Sequence, residues 1–180
     1  DSDTYFIEIG GAGTGTLNVV NGGDVLAADG ILGSLSSGTG TLNVAGPGAT
    51  WTSTRALTVG KFGSGSVNVA AYGTLTTATG YIGQNAGSSG AATVSGSDSQ
   101  WTNSNSLFVG DAGTGSLTIQ NGGVVTNTAG SLGNSSGGSG TATIDGAGSQ
   151  WNNSSALFVG RLGTGSLTIQ NGGVVTNTAG

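Results

Sequence analysis

Residues 107–125 read LFVGDAGTGSLTIQNGGVV, and 50 positions later residues 157–175 read LFVGRLGTGSLTIQNGGVV; this stretch decides the fold. Inside it, Leu117-Thr118-Ile119 alternates apolar, polar, apolar, the two-residue period of a strand. That triplet is one of a series. Leu17, Leu42, Val67, Ala92, Leu117, Ala142 and Leu167 recur every 25 residues, each opening a triplet that closes on Val19, Val44, Val69, Val94, Ile119, Ile144 or Ile169. A fixed period held from end to end means stacked structural units.

Two further series surround the first. Ile9-Gly10, Leu32-Gly33, Val59-Gly60, Ile82-Gly83, Val109-Gly110, Leu132-Gly133 and Val159-Gly160 follow one another at spacings that alternate between 23 and 27. Val25, Trp51, Leu75, Trp101, Val125, Trp151 and Val175 form the third. Each lap therefore carries three short strands separated by Gly, Ser, Asn and Asp, residues that turn corners. This predicts an all-β parallel β-helix, a β-solenoid of about seven coils of 25 residues counted from residue 6, in one repeat domain spanning 1–180. The handedness preference of parallel crossovers favours a right-handed coil. At a strand spacing of about 4.8 Å the stack is roughly 34 Å long. In the fifth coil Leu107, Val109, Leu117, Ile119 and Val125 are expected to point inward.

Rival classes fare worse. With 39 glycines and abundant Ser, Thr and Asn, a disordered linker is the bland alternative, but disorder does not require the apolar residues to be phased. No stretch has a 3.6-residue period, which excludes a helical solenoid. The single proline, Pro47, falls in a corner, as a fold whose strands donate hydrogen bonds to both neighbours demands. A longer period of 50 overlies the 25, because Trp51, Trp101 and Trp151 alternate in one column with Val25, Leu75, Val125 and Val175. Asn-Gly-Gly at 21–23, 121–123 and 171–173 follows the second strand, where Asn and Gly tolerate positive φ, whereas the equivalent corner at 70–73 reads AAYG.

The motif VGxxGTGSLTIQNGGVVTN, followed by GSGTATIDGAGSQW, resembles the repeats in passenger domains of bacterial autotransporters, the type V secreted adhesins. The likeness covers nearly the whole chain and consists mostly of turn glycine and strand alternation. It implies an extracellular stalk or adhesin on a Gram-negative cell surface, with roles in cell adhesion and virulence. It further implies a segment excised from a longer passenger, anchored through a translocator barrel outside this sequence. In such passengers the absence of cysteine avoids cross-links that would obstruct export as an extended chain.

The composition bounds the chemistry. There is no Cys, Met or His, hence no disulfide framework, thiol nucleophile or soft-metal site, and no apolar run is long enough to span a bilayer. The net charge is −5, with only Arg55, Lys61 and Arg161 positive, which argues against nucleic acid and anionic membrane as partners. Hydrolase or lyase chemistry needs carboxylates or bases clustered around one bond. Asp1, Asp3, Glu8, Asp24, Asp29, Asp98, Asp111 and Asp145 are scattered instead. Asp98 is expected to serve its GSDSQW corner by capping or turn hydrogen bonding, and the corner bearing Lys61, Asp111 and Arg161 reverses sign, as solvated loops do. Calcium-binding nonapeptides are missing, since no NGG is followed by the required aspartates. No enzyme activity, cofactor or metal is expected.

Candidate binding residues lie in columns. The residue between the inward pair of the first strand is Glu8, Ile31, Thr58, Tyr81, Phe108, Ser131 and Phe158, so alternation would make Tyr81, Phe108 and Phe158 an exposed aromatic ridge able to meet a sugar or another rod. A covering segment, or failed alternation that puts these rings in the core, are the alternatives. On the second strand Thr93, Thr118, Thr143 and Thr168 continue the column of Asn18, Asn43 and Asn68, a polar lattice able to order water against ice or a glycan, although Thr is also simply a good strand former. Asn103, Asn127, Asn153 and Asn177 recur two residues after the Trp/Val column and could stack as an internal amide ladder or sit in solvated turns. Three functions are thus expected in order: a structural or adhesive rod, a self-associating filament or biofilm module, and an ice- or glycan-binding solenoid. The filament rests on open coil edges with no evident cap, and a surface glycan, a protein receptor or a second copy is the expected partner.

Overall fold

A computed structural model describes residues 5–178, so Asp1 and Asp3 lie outside the described residues. The chain is an all-β solenoid of parallel strands. Seven strands of seven residues, Thr14–Val20, Thr39–Ala45, Ser64–Ala70, Ser89–Ser95, Thr114–Gln120, Ser139–Asp145 and Thr164–Gln170, stack in sequence order into one sheet. Their partners are offset by 25 residues without a slip, as in Leu17↔Leu42, Leu42↔Val67 and Leu117↔Ala142. The repeat read from the sequence is therefore the hydrogen-bonding register itself.

The other two segments of each lap form a single 11-stranded sheet. In the N-terminal half they run together as Asp24–Leu32, Thr50–Val59 and Thr74–Ile82, with register shifts between Ala27 and Asp29 and between Ser53 and Ala56. Toward the C-terminus they separate, as in Gln100–Asn103 and Ser106–Val109. Asp29 stitches the N-terminal bend. One carboxylate oxygen accepts from the Ala56 N–H at 3.1 Å while the other takes Arg55 Nη2 at 2.5 Å. With the Arg55 side chain half exposed, this ion pair contributes at most about 1 kcal/mol.

The core is a narrow seam. Leu107, Val109, Leu117, Ile119 and Val125 are all buried, as alternation required, and each contributes about 1.5–3 kcal/mol by leaving water. The Trp column is also in register: Val25↔Trp51, Trp51↔Leu75, Leu75↔Trp101, Val125↔Trp101 and Val125↔Trp151. All three indoles are fully buried. What accommodates them is a glycine in the coil below. A Cβ on Gly30, Gly80 or Gly130 would lie 2.6, 3.0 or 2.9 Å from Cζ2 of Trp51, Trp101 or Trp151, so the bulk of one coil fills the space left by the other. The 50-residue period is thus a packing unit of one large and one small coil.

The asparagine column is internal. Asn103, Asn127 and Asn153 are 2 % exposed, and Asn127 Nδ2 donates to Asn153 Oδ1 at 2.6 Å. The column also satisfies the indoles: Trp151 Nε1 donates to Asn127 Oδ1 at 2.7 Å, and Trp51 Nε1 to Ser53 Oγ at 2.7 Å. Asn103 joins Thr77, whose hydroxyl donates to Asn103 Oδ1 at 2.6 Å, and no amide pair links it to Asn127. Asn177 is exposed. The Asn-Gly-Gly corners take positive φ, 48° at Asn21, 54° at Asn121 and 53° at Asn171. The AAYG corner adopts the same turn with Ala71 at 50° and Tyr72 at 73°, so its two side chains bear the strain that Asn and Gly avoid.

Candidate functional site

The edge where the first strand of each lap turns toward the second gathers most of the rod's chemistry. Strand pairing places Phe108 against Tyr81 and against Ser131, and Ser131 against Phe158. These residues therefore form one column in register, although Thr58 and Ser131 within it are buried where alternation would turn them outward. Tyr81 and Phe108 stack with centroids 5.2 Å apart and planes 15° from parallel, a separation set by the strand spacing. Stacking makes both rings half-buried, while Phe158 is 41 % exposed. Ser131, which is buried, stands between them, so the ridge is a stacked pair and a separate ring.

Side chains from the following corners brace these rings. Arg161 lies over Phe158, its guanidinium carbon 5.1 Å from the ring centroid, and donates from Nη1 to Asn134 Oδ1 at 3.3 Å. Asn134 Nδ2 in turn donates to Asp111 Oδ1 at 2.8 Å, Ser135 Oγ donates to the same oxygen at 3.2 Å, and Ser131 Oγ donates to Asn134 Oδ1 at 3.2 Å. Three coils are linked in this way. Arg161 is exposed and Asp111 half-buried in these corners, and both also belong to a polar network that runs along the rod axis. Burial, aided by the negative Asp111, raises the Tyr81 phenol above its ordinary pKa. Phe62 and Leu162 extend the same edge as exposed apolar side chains of neighbouring corners.

The seven-stranded sheet presents the second candidate surface. Pairings Thr118↔Thr93, Thr118↔Thr143 and Thr143↔Thr168 put the four threonines in one straight column. Three are half-buried by their neighbours and Thr168 is exposed. Below them Asn43 Nδ2 donates to Asn18 Oδ1 at 2.7 Å and Asn68 Nδ2 to Asn43 Oδ1 at 3.0 Å, so those amides are engaged with one another along the stack. Two outward positions earlier on each strand, beyond the column that holds Ser116, runs another at Thr14, Thr39, Ser64, Ser89, Thr114, Ser139 and Thr164, entirely hydroxyl and aligned by the same register. That further column follows the same 25-residue spacing but lies outside the apolar triplet.

Asp98 sits in its corner with φ 62° and is exposed. The serine that follows matters more. Ser99 Oγ accepts from the Tyr72 N–H at 3.2 Å and Ser149 Oγ from the Gly122 N–H at 3.0 Å, each tying a corner to the coil beneath. Their common offset of 27 residues was the available signal. Among the described residues, no three His, Cys, Asp or Glu side chains gather in a metal-binding arrangement. None of the described residues forms a helix long and apolar enough to cross a membrane.

Comparison with protein-family models, with curated proteins and with solved structures returns no match to this chain.

Proposed function

We propose that the chain is a non-catalytic rod of the autotransporter passenger kind, held outside a bacterial cell, where it presents its aromatic edge for adhesion to a surface glycan or protein receptor. The observation that carries this reading is the joining of seven coils, held in unbroken register through the seven-stranded sheet, to one edge on which aromatic rings, Arg161 and Asp111 are braced by contacts between coils. Rigidity suits such an edge. Side chains held by neighbours above and below lose little freedom on binding, which favours affinity. No cofactor is required for this role.

Beads coated with the purified chain provide the test. Adhesion to target cells should fall when Phe108 and Phe158 are both replaced by alanine. Unchanged adhesion by a folded double variant removes the edge from the reading, and no adhesion by the wild-type chain removes the adhesive role. Sedimentation velocity across a concentration series addresses self-association on the same material.

A second reading has its own support in the hydroxyl columns of the seven-stranded sheet. Strand spacing of about 4.8 Å and in-register pairing make them a regular, uncharged array facing outward. A thermal hysteresis assay together with a glycan array tests it. Activity abolished by Thr118→Lys and retained in the aromatic variants would favour this face over the edge.

A further inference from the structure

The Asn-Gly corners are alike in sequence and turn but differ in what lies above them. Gly122 donates its N–H to Ser149 Oγ at 3.0 Å, and Ser149 Oγ itself donates to the Asp145 carbonyl at 2.7 Å from a fully buried position. Tyr72 is held in the same way by Ser99 at 3.2 Å. The residue at the corresponding place above Gly22 is Ala49, equally buried and without a hydroxyl. Gly22 is exposed, and its N–H makes no hydrogen bond to a described residue.

That N–H decides a reaction. In an Asn-Gly pair the glycine nitrogen loses its proton to solvent base and attacks the asparagine Cγ. A new C–N bond closes a five-membered imide as the Cγ–Nδ2 bond breaks and ammonia leaves. Water then adds to either imide carbonyl, leaving aspartate or isoaspartate; no electrons are gained or lost, and water is the only co-reactant. Glycine imposes no side-chain barrier to this attack, but a hydroxyl that holds its N–H must first let go.

We infer that Asn21-Gly22 is a site of spontaneous deamidation, and that the residue heading the next coil's third segment, alanine at 49 and serine at 99 and 149, sets the reactivity of the corner beneath it. The consequence is local and cumulative. The Asn21 side chain lies against Gly46 of the following coil, since a Cβ there would come within 2.3 Å of Asn21 Oδ1. Isoaspartate lengthens the backbone by one methylene at that contact, and either product adds a negative charge three residues before Asp24.

Tryptic mapping after incubation in mildly alkaline buffer tests the assignment on the intact chain. Cleavage after Arg55, Lys61 and Arg161 places Asn21, Asn121 and Asn171 in three different peptides. Asn121 should deamidate about fivefold more slowly than Asn21, given one hydrogen bond of ordinary net strength. Ser149→Ala should raise the Asn121 rate about fivefold and leave Asn21 unchanged. Ala49→Ser, which adds a hydroxyl and removes none, should slow Asn21 by a similar factor. Equal rates at Asn121 and Asn21 overturn the inference. So does an unchanged Asn21 rate in Ala49→Ser with a native circular dichroism spectrum, whatever becomes of the Ser149 variant.

Discussion

Replacing Gly80 by alanine should damage the core although the change adds one methyl group. The new Cβ would lie 2.7 Å from Leu107 Cδ1, 2.7 Å from Asn103 Oδ1 and 3.0 Å from Trp101 Cζ2. All three neighbours are buried, with Leu107 and Trp101 at 0 % exposure, so none can swing into solvent to relieve the contact. Overpacking of this kind costs about 1–3 kcal/mol, more than the helix- or strand-forming advantage of alanine could return. Trp101→Leu alone should cost about 3 kcal/mol, through lost area and a cavity above Gly80. The double variant relieves the indole contact and leaves those with Leu107 and Asn103, so its loss should fall short of the sum by part of the overpacking cost, about 1 kcal/mol. Urea unfolding followed by circular dichroism, which does not depend on the altered tryptophan, measures all four chains. Strict additivity, or a neutral Gly80→Ala, would refute the pairing of each large coil with the glycine beneath it.

Other consequences concern single columns. Asn127→Ala removes the acceptor of the buried Trp151 indole N–H and the donor to Asn153 Oδ1, and should lower stability by at least about 2 kcal/mol in the same urea assay; a loss below about 1 kcal/mol would return these asparagines to the class of solvated turn residues. Tyr72→Gly should stabilise the rod by about 1 kcal/mol by relieving a side chain held at φ 73°, and a lower urea midpoint would show that the ring contributes packing that outweighs the strain. Because the folded Tyr81 phenol is raised by burial and by Asp111, the folded state holds its proton longer than the unfolded state does. That contribution to stability is complete below about pH 10 and is lost as pH climbs through the raised value. Tyr81→Phe should therefore flatten the alkaline fall in unfolding midpoint, and an unchanged profile would contradict the assignment.

Much of this architecture was legible because the signal repeats. Leu117-Thr118-Ile119 alone cannot be told from any short amphipathic run, but seven such triplets at equal spacing specify both strand and register. The Trp/Val column was legible for the same reason. Merging of the second sheet was not, because it depends on the conformation of a bend: Asp29 and Arg55 each appear once, in successive coils, and a single ion pair leaves no periodic trace. The glycines beneath the tryptophans do repeat, at 30, 80 and 130, but as glycines among 39 they read as turn residues. At the aromatic edge, alternation gave the column of Tyr81, Phe108 and Phe158 and could not give ring orientation. Whether neighbouring rings stack or splay follows from side-chain torsions and from partners such as Arg161 and Asn134, which reach in from corners that vary in length. The alternating 23 and 27 spacings arise there: the corner Gly60–Gly63 is short, whereas Gly83–Ser88 is two residues longer.

The central claim is that every 25 residues the chain returns one strand spacing higher, and pulsed electron-spin distance measurements test it most directly. The sequence has no cysteine, so pairs of introduced cysteines carry spin labels without background. Ser66, Thr41 and Thr16, each paired in turn with Ser166, stand four, five and six coils away from it in the same outward column. Narrow distance distributions should increase in equal steps of about 4.8 Å, from about 19 to about 29 Å between backbone positions. Broad distributions, or distances that fail to rise by one strand spacing per lap, would contradict the stacked coil.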